Sequence, residues 1–152
     1  MRRTLLLAAA LAIPLSGASM VIAGAPAGAA ATKITCTTVT SSGSNITISG
    51  CTGGNTGGSS KPVAAATLAA GGTITWVSGS TTTISSPTLT STSAKKCPGY
   101  VKGASSEPTA DKFKATVTGD TGDGLKVPGK AAGAICISQS GSITALKPLT
   151  AN

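Results

Sequence analysis

Four cysteines are the residues of this 152-residue sequence whose type and number point most directly to chemistry. Zinc sites need closely spaced ligand pairs such as Cys-x-x-Cys, usually with histidine, and thioredoxin-like redox sites need the same spacing. No two cysteines are that close, and the sequence has no histidine. An even number of cysteines, in a chain that enters an oxidising compartment, instead predicts two disulfide bonds among Cys36, Cys51, Cys97 and Cys136.

The pairing of these cysteines is predicted from the first hairpin. Four cysteines allow three connectivities. A turn centred on Gly43-Ser44 places residue 36 opposite residue 51, which predicts Cys36–Cys51 and, by elimination, Cys97–Cys136. This register would make Cys36 and Cys51 a hydrogen-bonded pair, whose side chains stand further apart, and a one-residue bulge would relieve that problem.

The sequence offers few groups for general acid–base catalysis, because it contains four acidic residues and no histidine. The missing histidine excludes the usual Ser-His-Asp and Cys-His arrangements. A glycosidase would need two carboxylates that face one cleft, whereas Asp120 and Asp123 share a single turn. A Ser-Lys hydrolase stays open, since serines and lysines are common, but no local motif supports it. We therefore predict no catalytic residue among the four acids, which are Glu107, Asp111, Asp120 and Asp123.

The segment Gly119–Gly124 reads Gly-Asp-Thr-Gly-Asp-Gly and could supply oxygen ligands to calcium. Calcium takes six to eight such ligands, and the further acidic positions of an EF-hand are missing here. A tight turn that uses Asp and Gly for their backbone freedom explains the same residues. We favour the turn and predict no metal or cofactor, while calcium binding by Asp120 and Asp123 stays open.

The first 31 residues have the three-part order of a cleavable secretory signal peptide. Arg2 and Arg3 supply a positive start, Leu5–Leu15 is apolar, and small residues dominate as far as Ala31, after which we expect cleavage. The arginine pair leaves the general secretory and twin-arginine routes open. A retained membrane anchor is the alternative, since no charge occurs between Arg3 and Lys33, but the strongly apolar run is short for a span.

Removal of residues 1–31 leaves 121 residues, which is enough for one domain at 32–152. About a third of those residues are Ser or Thr, the aromatics are few, and helix signals are nearly absent. Thr suits a half-exposed pleated surface, and Gly and Ser supply turns. The low-complexity stretch 52–60 is predicted to be a flexible loop.

Short β-rich runs alternate with turn signals along this domain. Residues 112–118 alternate Phe113, Ala115 and Val117 with polar residues, which is typical of a half-buried strand. Residues 61–70 fit a short helix or a strand. The pattern predicts an all-β fold, a small antiparallel β-sandwich of immunoglobulin-like type or a barrel, with two disulfides. The predicted strands are 32–40, 45–50, 72–77, 81–85, an edge strand at 87–92 after the break at Pro87, 112–118, 133–138 and 141–148.

The domain is basic, with ten lysines against four acids and a net charge of +6 after Arg2 and Arg3 are removed. Such a charge favours anionic wall polymers or acidic lipids, and it also simply keeps a Thr-rich β protein soluble. Nucleic-acid binding is not predicted, because base readout and stacking depend on arginine and aromatic side chains. The domain has no arginine and only three aromatic residues, which are Trp76, Tyr100 and Phe113.

A family resemblance rests on the segments 46–54, 71–76, 97–100 and 119–126. They resemble a group of uncharacterised small secreted proteins of actinobacteria, and the resemblance covers most of the domain. The resemblance implies a secreted protein of that kind of organism and transfers no catalytic or binding residue. Together with the residues, it leads us to expect a secreted or cell-envelope β domain that acts by surface binding and is not an enzyme. A small hydrolase and a passive wall component are the alternatives.

Overall fold

A computed structural model describes residues 32–152, so the predicted export signal at 1–31 lies outside the described residues. The described part of the chain is almost entirely β-structure. Its elements are β1 Ile34–Ser42, β2 Asn45–Thr52, β3 Val63–Ala64, α1 Ala65–Ala70, β4 Thr73–Thr75, β5 Thr81–Ile84, β6 Thr88–Ser91, β7 Thr109–Thr121, β8 Gly129–Ile137 and β9 Ile143–Ala151.

The first hairpin confirms the predicted turn. Ser42 pairs with Asn45, so Gly43 and Ser44 form the two-residue connection, and Gly43 has the positive φ of 59° that such turns require. The same register brings Cys36 opposite Cys51, and the two are bonded. The prediction that they form a hydrogen-bonded pair is wrong, because the Cys51 amide points away from β1 and donates to the carbonyl of Gly58. The register therefore continues past the cysteines without a bulge.

Antiparallel pairing joins all nine strands into one sheet. The order is β3-β2-β1-β9-β8-β7-β5-β4, and β6 also pairs with β7. β5 and β6 lie one after the other along the 13-residue β7, and the break between them contains Pro87, as predicted. A proline cannot donate to the ladder, which explains why the long run from β5 to β6 is interrupted there.

The two edges of this sheet nearly meet, through the segment at residues 58–61. The Ser60 amide donates to the carbonyl of Ile48 on β2, and the Lys61 amide donates to the carbonyl of Thr75 on β4. Single β-bridges, Ser49 with Ser59 and Ser60 with Trp76, link the same strands. The predicted all-β antiparallel fold is therefore confirmed, as a sheet nearly closed into a barrel-like sandwich.

The 52–60 loop, which was predicted to be flexible, ends in this closure. Thr56 and Ser60 are 3% and 2% exposed, and the Ser60 hydroxyl accepts a hydrogen bond from the Ile48 amide at 2.9 Å. These contacts say where the loop lies, and its flexibility stays a prediction.

The helix α1 covers the gap between the sheet edges beyond this bridge. The Ala65 amide donates to the carbonyl of Ser44 next to β2, and the Ser86 hydroxyl donates to the carbonyl of Ala69. Leu68 packs against the main core from the helix. Residues 61–70 thus contain both elements that the sequence left open, a short strand and a short helix. No helix among residues 32–152 is long and apolar enough to cross a membrane.

Two hydrophobic clusters hold the fold. The larger one lies inside the barrel and includes Ile34, Trp76 and Val117. The smaller one lies on the outer face of the sheet, where the second disulfide, Cys97–Cys136, packs on Ala110 of β7. Both disulfides therefore have the predicted connectivity, and each has a cysteine in a buried cluster.

Candidate functional site

The residues whose side chains could take part in catalysis or metal binding do not converge on one cleft. Asp111 and Asp120 lie near opposite ends of β7, nine residues apart in sequence, which corresponds to about 30 Å along a strand. Glu107 accepts a hydrogen bond from the Gly103 amide in the exposed segment before β7. The cysteines are all in disulfides, and no group of three His, Cys, Asp or Glu side chains within 32–152 could hold a metal ion.

Asp123 closes one end of the barrel with a buried hydrogen-bond network, although the sequence suggested only a turn. The residue is 3% exposed. Its carboxylate accepts hydrogen bonds from the Asn55 amide at 3.1 Å, the Ser80 hydroxyl at 2.7 Å and the Thr82 hydroxyl at 3.0 Å. Thr82 in turn accepts a hydrogen bond from the Trp76 indole at 2.9 Å. The network ties the 52–60 loop to β5 and to the core.

Asp120 lies at the end of β7, which runs on to Thr121 although the sequence predicted a turn from Gly119, and its environment differs from that of Asp123. One carboxylate oxygen accepts hydrogen bonds from the amides of Gly124 and Leu125 at 2.9 and 3.2 Å, and the other is buried without a partner among residues 32–152. Burial, together with the nearby negative charge of Asp123, raises the pKa of Asp120 against the lowering effect of those amides. The two carboxylates therefore differ: both oxygens of Asp123 accept hydrogen bonds, whereas one oxygen of Asp120 has no partner among residues 32–152.

A large apolar cavity occupies the barrel interior. Its volume is about 410 Å³, which is within the range of roughly 300–1,000 Å³ that small-molecule sites have. The lining contains no charged residue, and its only hydroxyl groups are those of Thr82 and Thr150. The Thr82 hydroxyl is already engaged by Trp76 and Asp123. The apolar lining includes Ile34, Val39, Ile48, Trp76, Ile84, Phe113, Ile135, Ile137, Ile143 and Leu149, with Ala65, Ala66, Leu68 and Ala69 of α1.

The cavity is closed at one end and open at the other, as the burial of its lining shows. Near the Asp123 network, the lining residues Ile34 and Trp76 are 2% and 3% exposed. Towards the β8–β9 turn, Ile137 and Ile143 face each other across the strands and are only half-buried. The mouth therefore lies at the end where α1 and β6 flank the sheet.

Leu89 marks the rim of this mouth. It pairs with Phe113 across β6 and β7, and 54% of its surface is exposed. The other three residues of β6 are Thr and Ser, so a polar residue would be expected at this exposed position as well. An exposed leucine that continues an apolar lining extends the cavity surface to solvent.

The sequence analysis identified most of the strands that line the cavity but not the cavity itself. The alternation of Phe113, Ala115 and Val117 did predict which side of β7 faces inward. Whether an inward side chain meets a packing partner or empty space depends on the strand opposite, which the alternation does not specify.

No family model matches the sequence, and no curated protein or solved structure is detectably similar to it. The chemistry of the site must therefore be argued from its own residues. The cavity offers shape and apolar contact, whereas the acidic residues near it are committed to the fold or lie elsewhere on β7. Such an arrangement suits binding.

Proposed function

We propose that this chain is exported and that its β domain is a non-enzymatic binding protein, which holds an apolar ligand inside the barrel. The observation that carries the proposal is the open cavity of about 410 Å³ with its apolar lining. Barrels of about eight strands leave an interior that either side chains fill or one small ligand occupies. Here the side chains leave it partly empty.

The apolar lining also indicates which chemical class of ligand the cavity would bind. A buried polar or charged group would find no free partner, and leaving such a group unpaired costs several kcal/mol. An aliphatic chain makes no such demand and gains roughly 0.8 kcal/mol for each buried CH₂ group. We therefore expect a lipid-like molecule whose chain lies inside and whose polar group stays at the mouth, near Leu89.

Two lines of support favour a location outside the cytoplasm. Disulfides persist in oxidising compartments, and this domain has two that link all of its cysteines. The order of charge, apolar run and small residues in 1–31 is that of an export signal.

Export predicts a processed protein. The intact mass of the chain recovered from the medium of cells that make it should correspond to a first residue between Ala30 and Lys33. Mass spectrometry measures this directly. A secreted chain that still carries Met1 or Arg2 would contradict cleavage of the signal peptide.

Binding predicts a dependence on chain length. We expect the affinity for saturated fatty acids to rise about fourfold with each added CH₂ group, because each contributes roughly 0.8 kcal/mol of apolar burial. The gain should stop once the chain fills the cavity. Isothermal titration calorimetry with fatty acids of six to about sixteen carbons measures both the slope and the plateau.

A bulky variant provides the matched control. Ile135→Trp places a large side chain in the cavity and should weaken binding of the longer chains at least tenfold. Thr118→Trp adds the same side chain at an exposed position of β7 and should leave binding unchanged. Equal affinity for short and long chains, or equal loss in the two variants, would refute binding in the cavity.

Two alternatives from the sequence have different expected results. A passive wall component would bind none of the fatty acids. A Ser-Lys hydrolase would instead release product from an ester substrate and would lose that activity in a Lys→Ala variant. The expected role in binding anionic wall polymers concerns the outer surface of the barrel and is separate from the cavity.

A further inference from the structure

Three lysines share the outer face of the sheet, on the opposite side from the cavity. Lys112 and Lys114 project from β7, and Lys147 projects from β9. Ala134 of β8 pairs with Lys112 on one side and Lys147 on the other. Directly opposed residues of neighbouring antiparallel strands point to the same face, so the three ammonium groups surround one area of the surface. All three lysines are exposed.

A shallow depression lies between these lysines, which we call the lysine groove. It has a volume of about 250 Å³. Small residues form its floor, and Ala134 is only 1% exposed there. The lining contains no acidic residue that could neutralise the lysines. It consists of Lys112, Phe113, Lys114, Ala132, Gly133, Ala134, Lys147, Pro148 and Thr150.

The surroundings of Gly133 show which way the Phe113 ring points. A Cβ atom at this position would lie 2.5 Å from Leu149 Cδ2 and 2.7 Å from Phe113 Cε1. Both of those side chains line the interior cavity. Their packing across the missing side chain shows that the Phe113 ring faces inward, which leaves the groove to the lysines, the small residues, Pro148 and Thr150.

The spacing of the lysines suits a chain with repeated negative charges. Residues two apart on one strand are separated by about 7 Å, and positions two strands apart by about 10 Å. A lysine is a point charge on a flexible stem with three donors, so it accepts phosphate groups without a fixed orientation. A single small anion could engage only part of this arrangement, whereas a linear polymer could contact all three lysines.

We propose that the lysine groove binds a linear phosphodiester polymer, of the kind in which polyol units are joined by phosphates. A membrane surface fits less well, because basic membrane-binding faces combine cations with exposed apolar side chains. The exposed large apolar residues, Val77, Leu89, Val101 and Val127, lie outside the groove. A nucleic acid also fits less well, since the groove has neither arginine nor an outward aromatic ring.

The test compares two variants with the same loss of charge. The groove variant, Lys112→Ala/Lys114→Ala/Lys147→Ala, removes the three lysines of the groove. The control variant, Lys33→Ala/Lys61→Ala/Lys126→Ala, removes three other exposed lysines. Binding of synthetic poly(glycerol phosphate) to the protein purified from the medium is measured by calorimetry. We expect the groove variant to bind about tenfold more weakly and the control variant to change less than twofold.

Further measurements decide between kinds of partner. The logarithm of the affinity should fall with the logarithm of salt concentration with a slope of about −2, as expected for roughly three released counterions on a flexible chain. Glycerol 3-phosphate should bind far more weakly than the polymer. Equal losses in the two triple variants would show that only net charge matters, and this would overturn the proposal. Tighter binding to vesicles with 30% phosphatidylglycerol, or to oligothymidylate, would also overturn it. None of these outcomes bears on fatty-acid binding in the cavity, because the groove lies on the other face of the sheet.

Discussion

Reduction of both disulfides is expected to lower the free energy of unfolding of the 32–152 domain by about 7 kcal/mol. Cys36–Cys51 closes a loop of 15 residues and Cys97–Cys136 one of 39. In the chain-entropy model these loops contribute about 3 and about 4 kcal/mol. The two loops do not overlap in sequence, so their effects on the unfolded chain should add. The sum is comparable to the whole net stability of an ordinary domain, about 5–15 kcal/mol.

Urea unfolding with and without a reductant measures this loss. Paired alanine variants separate the two bonds: Cys97→Ala/Cys136→Ala should cost about 1 kcal/mol more than Cys36→Ala/Cys51→Ala, because its loop is longer. The alanine pairs avoid leaving a free thiol or burying a hydroxyl group. Superimposable unfolding curves for the oxidised and reduced protein would show that the bonds do not constrain the unfolded chain.

Replacement of Asp123 by alanine is the second change with a large expected effect. We expect Asp123→Ala to cost about 3 kcal/mol, because it leaves the Ser80 and Thr82 hydroxyls and the Asn55 amide without their carboxylate acceptor. Each buried donor without a partner costs about 1–3 kcal/mol, although the Ser80 hydroxyl keeps a second acceptor in the Asn55 carbonyl. Asp123→Asn keeps the shape and one acceptor, so its cost should be smaller.

Trp76 reports on this network directly. It is the single tryptophan of the chain, it is 3% exposed, and its indole donates to Thr82, which donates to Asp123. The emission of the folded protein should therefore shift to longer wavelength in Asp123→Ala, in addition to the loss of stability in urea. Asp111→Ala, at the other end of β7, is the matched control and should change stability by less than about 0.5 kcal/mol. If Asp111→Ala destabilised the domain as much as Asp123→Ala, the loss of stability could not be assigned to the hydrogen bonds of Asp123.

The local features of this fold could be predicted from the sequence because they depend on near neighbours. Gly43 and Ser44 set the register of the first hairpin, and that register alone brought Cys36 opposite Cys51. Phe113, Ala115 and Val117 alternate with polar residues, and strand geometry turns that alternation into an inward and an outward face. Pro87 interrupts its strand run because it lacks an amide hydrogen.

The candidate site depended on contacts between residues that are far apart in sequence. Asp123 is a turn residue by its neighbours, and it became a buried acceptor because Asn55, Ser80 and Thr82 arrive from two other parts of the chain. Residues 58–61 read as low-complexity sequence running into a lysine, yet they link β2 to β4. Backbone hydrogen bonds of this kind leave no mark in side-chain pattern.

The same distinction, between features set by near neighbours and features set by distant residues, applies to the cavity and the lysine groove. The sequence by itself determined an all-β domain, its hairpins, both disulfides and the side of β7 that faces inward. Only the tertiary structure decided that the inward side chains of β7, β8 and β9 line a cavity, and that Lys112, Lys114 and Lys147 surround one depression. The physical reason is that alternation assigns each side chain to a face, whereas the volume between faces depends on closure of the whole sheet.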